Sequence, residues 1–229
     1  DLLKNHRSIR KFKPESVSNE KVHTIMEAAG WAATSNFIQA YTVIRVKNKE
    51  TRKQIAALAG PQPWVELSPL FLVFCADLKR AQTACHYENK EMVPGYTEQF
   101  IISTVDVALA AQNAMIAAES LGLGGVYIGG IRNDPETVCK LLKIPDHVYP
   151  VFGMCLGYPD ENQEQKPRLP VRMILNSEYY QEDNTDLEKY NEICKDYYQT
   201  RTNSSREDTW TRQISIMMSN PARPHMKAF

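Results

Sequence analysis

The chain has 229 residues and a mass of 26.1 kDa, which is enough for one large domain or two small ones. Its 43% hydrophobic and 24% charged residues are typical of a globular protein. Lysine plus arginine equals aspartate plus glutamate at 27 each, so no net field attracts nucleic acid or an anionic membrane, and we expect neither partner.

The first third of the chain predicts helices and strands separated by turns. Ser18 precedes an amphipathic helix at residues 19–31, and residues 40–46 alternate like a strand. A short amphipathic helix follows at residues 50–59. Residues 70–76 are apolar on both faces, which is typical of a central strand. Residues 79–97 are polar and are predicted to form a loop or a short excursion over the core.

A long apolar helix is predicted at residues 98–121. It would be about 36 Å long, at 1.5 Å per residue. Its apolar residues surround the axis, so we expect it to be buried on most sides. Such a helix needs more cover than one small subunit supplies, which predicts a homodimer with this helix near the interface. The polar side chains of Asp106, Gln112 and Asn113 argue against a membrane span.

The rest of the chain continues the alternation of strands and helices. A strand at residues 126–128 runs into Gly129 and Gly130, and Asp134-Pro135 begins a helix that ends near residue 142. A buried strand follows at residues 149–156, then helices at residues 187–198 and 206–217. The pattern predicts one α+β domain over residues 1–229, in which residues 200–229 form a carboxy-terminal arm.

No catalytic set of side chains is evident. Ser8 does not lie in a Gly-x-Ser-x-Gly motif, and the five histidines are scattered. Cys85, His86 and Glu88 come nearest to a metal cluster but fall in the predicted polar loop, so no metal is predicted. Tyr127 stands where a dinucleotide fingerprint requires its third glycine. We therefore predict no catalytic side chain and expect a bound cofactor to perform the reaction.

Two compact basic clusters stand out in a chain without net charge. They are residues 6–10, His-Arg-Ser-Ile-Arg, and residues 166–168, Lys-Pro-Arg. Together they could bind a phosphate bidentately, or each could be solvated surface charge. Gly129 and Gly130 could let the backbone approach a flat ring, or form a plain turn. Five cysteines without a CxxC motif favour a reducing cytoplasm over secretion.

Several motifs occur in an order that resembles one family. They are residues 6–10, residues 35–39 (Ser-Asn-Phe-Ile-Gln), Gln62, residues 122–130 (Gly-Leu-Gly-Gly-Val-Tyr-Ile-Gly-Gly), residues 166–168 and the pair Arg201 and Arg206. Over its whole length the chain resembles the FMN-dependent nitroreductase superfamily. Within it, the chain is similar to the NADPH-preferring branch of oxygen-insensitive nitroreductases and NADPH–flavin oxidoreductases.

The resemblance implies a mainly antiparallel sheet flanked by helices, in an intertwined homodimer with an FMN site at each subunit interface. Arg7, Ser8 and Arg168 would bind the FMN phosphate, with His6 beside them. The positions implied near the flavin ring are Arg10, Gln62 and Lys166 at its pyrimidine edge, the backbone of Tyr127, Ile128, Gly129 and Gly130 along it, and Ser35, Phe37 and Gln39 from the partner subunit.

The resemblance also implies two substrates that use one site in turn. Arg201 and Arg206 would bind the 2′-phosphate of NADPH, and Arg223 would line the substrate pocket. The implied reaction is ping-pong two-electron reduction of nitroaromatics, quinones or flavins. Two alternatives stay open, namely a dedicated NADPH–FMN reductase that supplies reduced flavin to a partner protein, and a non-catalytic flavin-binding redox sensor.

Overall fold

The structure is a computed structural model that describes residues 1–182, 185–202, 205–220, 223, 225 and 226. It divides into two compact units, Asp1–Gln163 and Glu164–Phe229. The predicted single domain stays a prediction, and part of its arm at residues 200–229 lies outside the described residues.

A four-stranded antiparallel sheet forms the centre of the first unit. Its strands are β1 (Tyr41–Arg45), β2 (Leu70–Asp77), β3 (Gly124–Ile128) and β4 (Val148–Gly157), in the spatial order β1-β2-β4-β3. All three pairings are antiparallel, so the predicted α+β class and mainly antiparallel sheet are confirmed. The predicted central strand is β2, in which every residue is buried.

Helices cover both faces of this sheet. Those of the first unit are α1 (Asn19–Gly30), α2 (Lys49–Leu58), α3 (Pro63–Leu67), α4 (Lys79–Tyr87), α5 (Thr97–Ser120) and α6 (Pro135–Leu142). Alternate residues of β2 point to opposite faces. Leu72 and Phe74 pack in a core with α1 and α5, whereas Phe71 and Val73 pack with α2, α3 and α6. The second unit contains α7 (Leu187–Thr200) and α8 (Trp210–Ser219).

The prediction of a loop throughout residues 79–97 is wrong, because α4 occupies its first half. The Asp77 carboxylate accepts hydrogen bonds from Lys79 N at 2.9 Å and Arg80 N at 3.4 Å, and thus satisfies donors at the start of the helix. The helix is polar overall and has no buried residue, which is why its sequence favoured a loop.

Within one subunit, helix α5 is covered on one side only, as expected of a helix that needs more cover than one subunit supplies. One side packs in the core, but Ile101, Val105 and Leu109 are 48%, 49% and 41% exposed. Within the described residues it is the one helix long and apolar enough to cross a membrane, a test that core helices of soluble proteins also pass. Its Asp106 is buried at 1% exposure and hydrogen-bonded within the subunit. We therefore describe α5 as a core helix with one open apolar side.

Candidate functional site

The predicted phosphate-binding segment runs along the outer edge of β3. Ser8 forms a parallel bridge with Gly125, and Ile9 N donates to Gly125 O at 2.9 Å. A Cβ atom at Gly124 would lie 2.6 Å from Ile9 Cγ1, so glycine is required for this close approach. Main-chain pairing therefore fixes the position of the segment before any ligand binds.

His6 and Arg7 are held by neighbouring polar groups. His6 Nδ1 lies 2.6 Å from Glu119 Oε1, at the end of α5. The Arg7 guanidinium donates to Gln163 O at 3.0 Å and to Asn162 Oδ1 at 3.3 Å. Arg7 also lines a cleft of about 260 Å³. Its planar donor group is thus oriented by carbonyl oxygens at the wall of a small cavity.

Glu161 fixes the next part of the segment. Its Oε1 accepts hydrogen bonds from Arg10 N at 2.5 Å and Lys11 N at 3.0 Å, and its Oε2 accepts one from Gln163 Nε2 at 2.6 Å. Burial raises the pKa of Glu161, but these hydrogen bonds outweigh it and the net pKa is lowered. The sequence analysis did not find Glu161, because no local pattern connects it with Arg10.

Three predicted ring-binding residues come together around Trp64. The Arg10 guanidinium lies 5.7 Å from the centre of the Trp64 ring, and Trp64 Nε1 donates to Gln62 Oε1 at 3.1 Å. Gln62 Nε2 in turn donates to Ala59 O at 2.6 Å. A Cβ atom at Gly130 would lie 2.1 Å from this Ala59 oxygen. The packing therefore requires glycine at Gly130 with or without a cofactor.

At the end of β3 the side chains of Tyr127 and Ile128 pack within the subunit, so the backbone is the part of this segment available to a ligand. Ile128 is fully buried, and the Tyr127 ring packs edge-on against Phe152 at 5.2 Å between ring centres. Burial, with a smaller contribution from Glu119, raises the pKa of Tyr127 to about 12, so its phenol stays neutral. At Gly129 an added Cβ atom would lie 3.3 Å from the Arg132 guanidinium.

The segment with Ser35, Phe37 and Gln39 has an unusual backbone. Asn36, Phe37 and Gln39 have φ values of 47°, 59° and 52°, although none is glycine. Ser35 N donates to Asp106 Oδ1 at 3.0 Å, and the Phe37 side chain is 79% exposed. Asp106 was noted in the sequence only as a polar residue of an apolar helix, so its connection to this segment was missed.

Within one subunit, residues 35–39 and the basic segment of residues 6–10 lie beside different strands of the sheet. Residues 35–39 precede β1, whereas Ser8 is bonded to β3, and these strands form opposite edges of the sheet. Three interstrand spacings separate the two edges, about 14 Å in all. The two groups of predicted FMN contacts therefore lie at opposite edges of the sheet within one subunit.

The second basic cluster lies in the second unit. Arg168 Nη1 donates to Lys166 O at 2.8 Å, and Tyr190 Oη donates to Pro167 O at 3.2 Å. Lys166 and Arg168 line a cavity of about 590 Å³ whose other walls include Tyr190 and Trp210. The joint action of Arg168 and Arg7 on one phosphate stays a prediction.

The two arginines predicted to bind NADPH share one aromatic partner. The guanidinium carbons of Arg201 and Arg206 lie 4.9 Å and 4.8 Å from the centre of the Tyr198 ring, which is 7% exposed. Arg206 also pairs with Asp208 at 2.9 Å. Tyr198 was missed in the sequence, where an aromatic residue just before an arginine pair was the available signal. Arg223 is half-buried, and its contact with substrate stays a prediction.

The cysteines offer no reactive thiol at the sheet. All five are free, and burial raises the pKa values of Cys75 and Cys155 to about 12, so these thiols stay protonated. Among the described residues, no group of three or more His, Cys, Asp or Glu side chains is placed to bind a metal ion.

Comparisons with known proteins agree with the motifs. The family model described as "Nitroreductase family" matches residues 3–158, and its carboxy-terminal domain model matches residues 166–229. The chain is 42% identical to the oxygen-insensitive NADPH nitroreductase of Salmonella typhimurium, over 98% of this chain and 92% of the relative. It is 40% identical to the FMN reductase (NADPH) of Bacillus subtilis, over 100% of this chain and 94% of the relative.

A solved structure extends the similarity to the fold. B. megaterium NfrA1 is 48% identical to this chain and superimposes with a TM-score of 0.95, covering 100% of this chain and 95% of NfrA1. The resemblance predicted from the motifs is confirmed, and the chain belongs to the nitroreductase family.

Proposed function

We propose that this chain is a homodimeric, FMN-dependent oxidoreductase that uses NADPH to reduce small acceptors such as nitroaromatics, quinones and free flavins. The main support is the placement of the two FMN-contact groups at opposite edges of one sheet. A second copy would complete each site by bringing its own residues 35–39 to the basic segment, from which the sheet separates them by about 14 Å within one subunit. The names of the relatives point to the same donor and to related acceptors.

The residues of the first unit suit FMN. Arg7 offers a guanidinium oriented by carbonyl oxygens, as a phosphate ester requires. Arg10, Gln62 and the backbone of Gly130 lie together, where they would bind the polar edge of the flavin ring. When bound, FMN supplies the two-electron chemistry that none of these side chains can perform. The chain's own task is to bind and orient both substrates against it.

The open side of α5 supports the dimer. Ile101, Val105 and Leu109 follow one another at intervals of four residues and therefore share a face of the helix. An exposed apolar stripe of this kind is typical of a surface covered by another protein. A second copy of the chain would cover it and would bring its own Phe37 to the FMN site.

Arg201 and Arg206 are proposed to select NADPH over NADH. Tyr198 holds both guanidinium groups against one ring, so that they would bind the 2′-phosphate together. Arg223 is proposed to line the acceptor pocket. Five free cysteines agree with a reducing cytoplasm, which is the proposed location.

A dedicated FMN reductase is the second candidate. It is favoured by the full-length similarity to the B. subtilis FMN reductase (NADPH). The two functions differ in the acceptor, because a dedicated reductase turns over free FMN well and nitroaromatics poorly.

The test is an anaerobic titration of purified, FMN-loaded protein with NADPH, followed by separate addition of a nitroaromatic, a quinone and free FMN. We expect NADPH to bleach the flavin absorbance near ~450 nm, and each acceptor to restore it. Protein that cannot be loaded with FMN, or whose flavin NADPH does not reduce, would contradict the proposal. Restoration by free FMN alone would support the dedicated reductase.

A further inference from the structure

We propose that Asp106 is a positioning residue that holds residues 34–40 in the shape needed to contact FMN across the dimer interface. This inference rests on the proposed function, which assigns Ser35, Phe37 and Gln39 to the partner's FMN. Asp106 lies on α5 and is 1% exposed, so it would not itself contact the cofactor.

The Asp106 carboxylate joins both ends of this segment. Its Oδ1 accepts a hydrogen bond from Ser35 N at 3.0 Å, and its Oδ2 accepts one from Ala40 N at 3.0 Å and another from the Thr34 hydroxyl. A carboxylate can accept all three bonds, whereas an asparagine would turn an NH₂ group towards a donor. The three bonds thus favour aspartate over asparagine at this position.

The backbone between these ends needs such a restraint. Three non-glycine residues, Asn36, Phe37 and Gln39, have left-handed φ values. That conformation is unfavourable for residues with a Cβ atom, and it persists only where surrounding contacts enforce it. The Thr34 hydroxyl extends the restraint inward by accepting a hydrogen bond from Gln39 N at 2.8 Å.

The restraint has a consequence for the interface. Phe37 is 79% exposed on its own subunit, so it makes little contact that could fix its position. Its direction is instead set by the backbone that Asp106 holds. A segment shaped before binding loses less conformational freedom on contacting the partner and its cofactor, and this strengthens binding.

The test compares Asp106→Asn with wild-type protein and with Ser103→Ala as a matched control. Ser103 is fully buried on the same helix, and its hydroxyl bonds to carbonyl groups of that helix. We expect Asp106→Asn to raise the FMN dissociation constant of the apoprotein by roughly 10- to 100-fold, the loss associated with hydrogen bonds to a charged group. Ser103→Ala should stay within about twofold of wild type if a general disturbance of α5 is not the cause.

Hydrogen exchange of the apoprotein gives a readout that does not depend on FMN. The Ser35 and Ala40 amides should be protected in wild-type protein and should exchange at least about tenfold faster in Asp106→Asn. Unchanged protection, or an unchanged FMN dissociation constant in the folded variant, would overturn the inference. If wild-type protein bound no FMN while the variant lost protection, the proposed function would fail but the role of Asp106 in shaping the segment would stand.

A milder pair of variants keeps the inference testable if Asp106→Asn does not fold. Thr34→Val removes the hydroxyl that bonds to Asp106 and Gln39, whereas Thr34→Ser keeps it. We expect Thr34→Val to weaken FMN binding by roughly three- to tenfold, and Thr34→Ser to restore wild-type affinity. Equal affinities of the two variants would contradict the role of the hydroxyl and of the carboxylate it meets.

Discussion

The molecule presents its cations in two different ways. Arg7 and Arg10 lie on a segment that the main chain bonds to the sheet edge, through Ser8 and Ile9 on one side and Glu161 on the other. Arg201 and Arg206 are also bonded through their backbone N atoms, to Tyr197 O at 3.2 Å and Tyr198 O at 2.9 Å, but their guanidinium groups contact one aromatic ring. The Arg7 guanidinium is thus oriented by directional hydrogen bonds to oxygen atoms, whereas those of Arg201 and Arg206 share contact with one ring.

This difference matches the two proposed ligands. A resident FMN cofactor would stay bound through many turnovers, so a rigid cation segment would suit it. NADPH must leave after each reduction, so an adaptable arginine pair suits it, because the cation–π contacts and ion pairs of partly exposed arginines are individually weak. The comparison predicts that substitutions around Arg7 and Arg10 chiefly affect retention of FMN. Substitutions around Arg201 and Arg206 should chiefly affect binding of NADPH.

The largest effect is expected for Arg7→Ala. Loss of a charged hydrogen-bond donor costs about 1.5–3 kcal/mol, so the FMN dissociation constant should rise by roughly 10- to 100-fold. Fluorescence titration of the apoprotein with FMN measures it. Lys13→Ala is the control, since Lys13 carries the same charge on the same segment and its backbone N donates to Tyr158 O at 2.9 Å.

Equal losses of FMN affinity in Arg7→Ala and Lys13→Ala would mean that FMN binding depends on net charge rather than on an oriented guanidinium. Arg7→Lys separates charge from geometry further, because an ammonium group lacks the planar donor pair. We expect Arg7→Lys to recover only part of the affinity.

Most helices and strands of the first unit, which carries Arg7 and Arg10, could be predicted from the sequence. The apolar run of β2 predicts a central strand, and the Ser18 side chain accepts a hydrogen bond from Lys21 N at the predicted start of α1. These features depend on residues close together in the chain. Helix α4 was missed because its sequence is polar overall and it buries no residue, so its composition is typical of a loop.

The shape of the candidate site could not be predicted in the same way. The left-handed backbone at Asn36 and Phe37 depends on Asp106, and Ala40 is bonded to that carboxylate across 66 positions in the sequence. Likewise, Glu161 meets Arg10 across 151 positions. Such pairs are set by tertiary packing, so the sequence marks the residues proposed to contact the ligand but not the residues that hold them.

The arginine pair should show the next largest effect. Arg201→Ala combined with Arg206→Ala should raise the Michaelis constant for NADPH by at least about tenfold, since a charged contact to phosphate is lost. The Michaelis constant for NADH should change by no more than about twofold, because NADH lacks the 2′-phosphate. Steady-state kinetics with both donors measure this, and equal changes would refute selection by this pair.

Two substitutions of Tyr198 test whether its ring positions the arginine pair for NADPH. Tyr198→Leu removes the ring beneath both guanidinium groups, whereas Tyr198→Phe keeps the ring and loses the hydroxyl that donates to Gln213 Oε1 at 3.2 Å. The leucine variant should raise the Michaelis constant for NADPH by about threefold, as expected for loss of weak cation–π contacts. The phenylalanine variant should resemble wild type, and the reverse order would show that the hydroxyl matters more than the ring.

The smallest effect concerns pH and compares two carboxylates, one from each region. Glu161 holds Arg10 and Lys11, and Glu164 accepts hydrogen bonds from Thr202 N at 3.1 Å and Thr202 Oγ1 at 2.8 Å, next to Arg201. The pKa of Glu161 is lowered by hydrogen bonds that outweigh burial, and that of Glu164 is lowered chiefly by the two bonds from Thr202.

A lowered folded-state pKa contributes stability that is present above the ordinary value of 4.5 and is lost as the pH falls through the lowered value. Wild-type protein should therefore lose FMN more readily on acidification below about pH 4.5, and Glu161→Gln should show that weaker retention already at about pH 7. Glu164→Gln should leave retention unchanged and should instead raise the Michaelis constant for NADPH slightly, by less than about threefold. Flavin release measured by fluorescence against pH distinguishes Glu161→Gln from Glu164→Gln. Equal loss of FMN from both variants would show that the segment around Arg10 and the segment around Arg201 do not act separately.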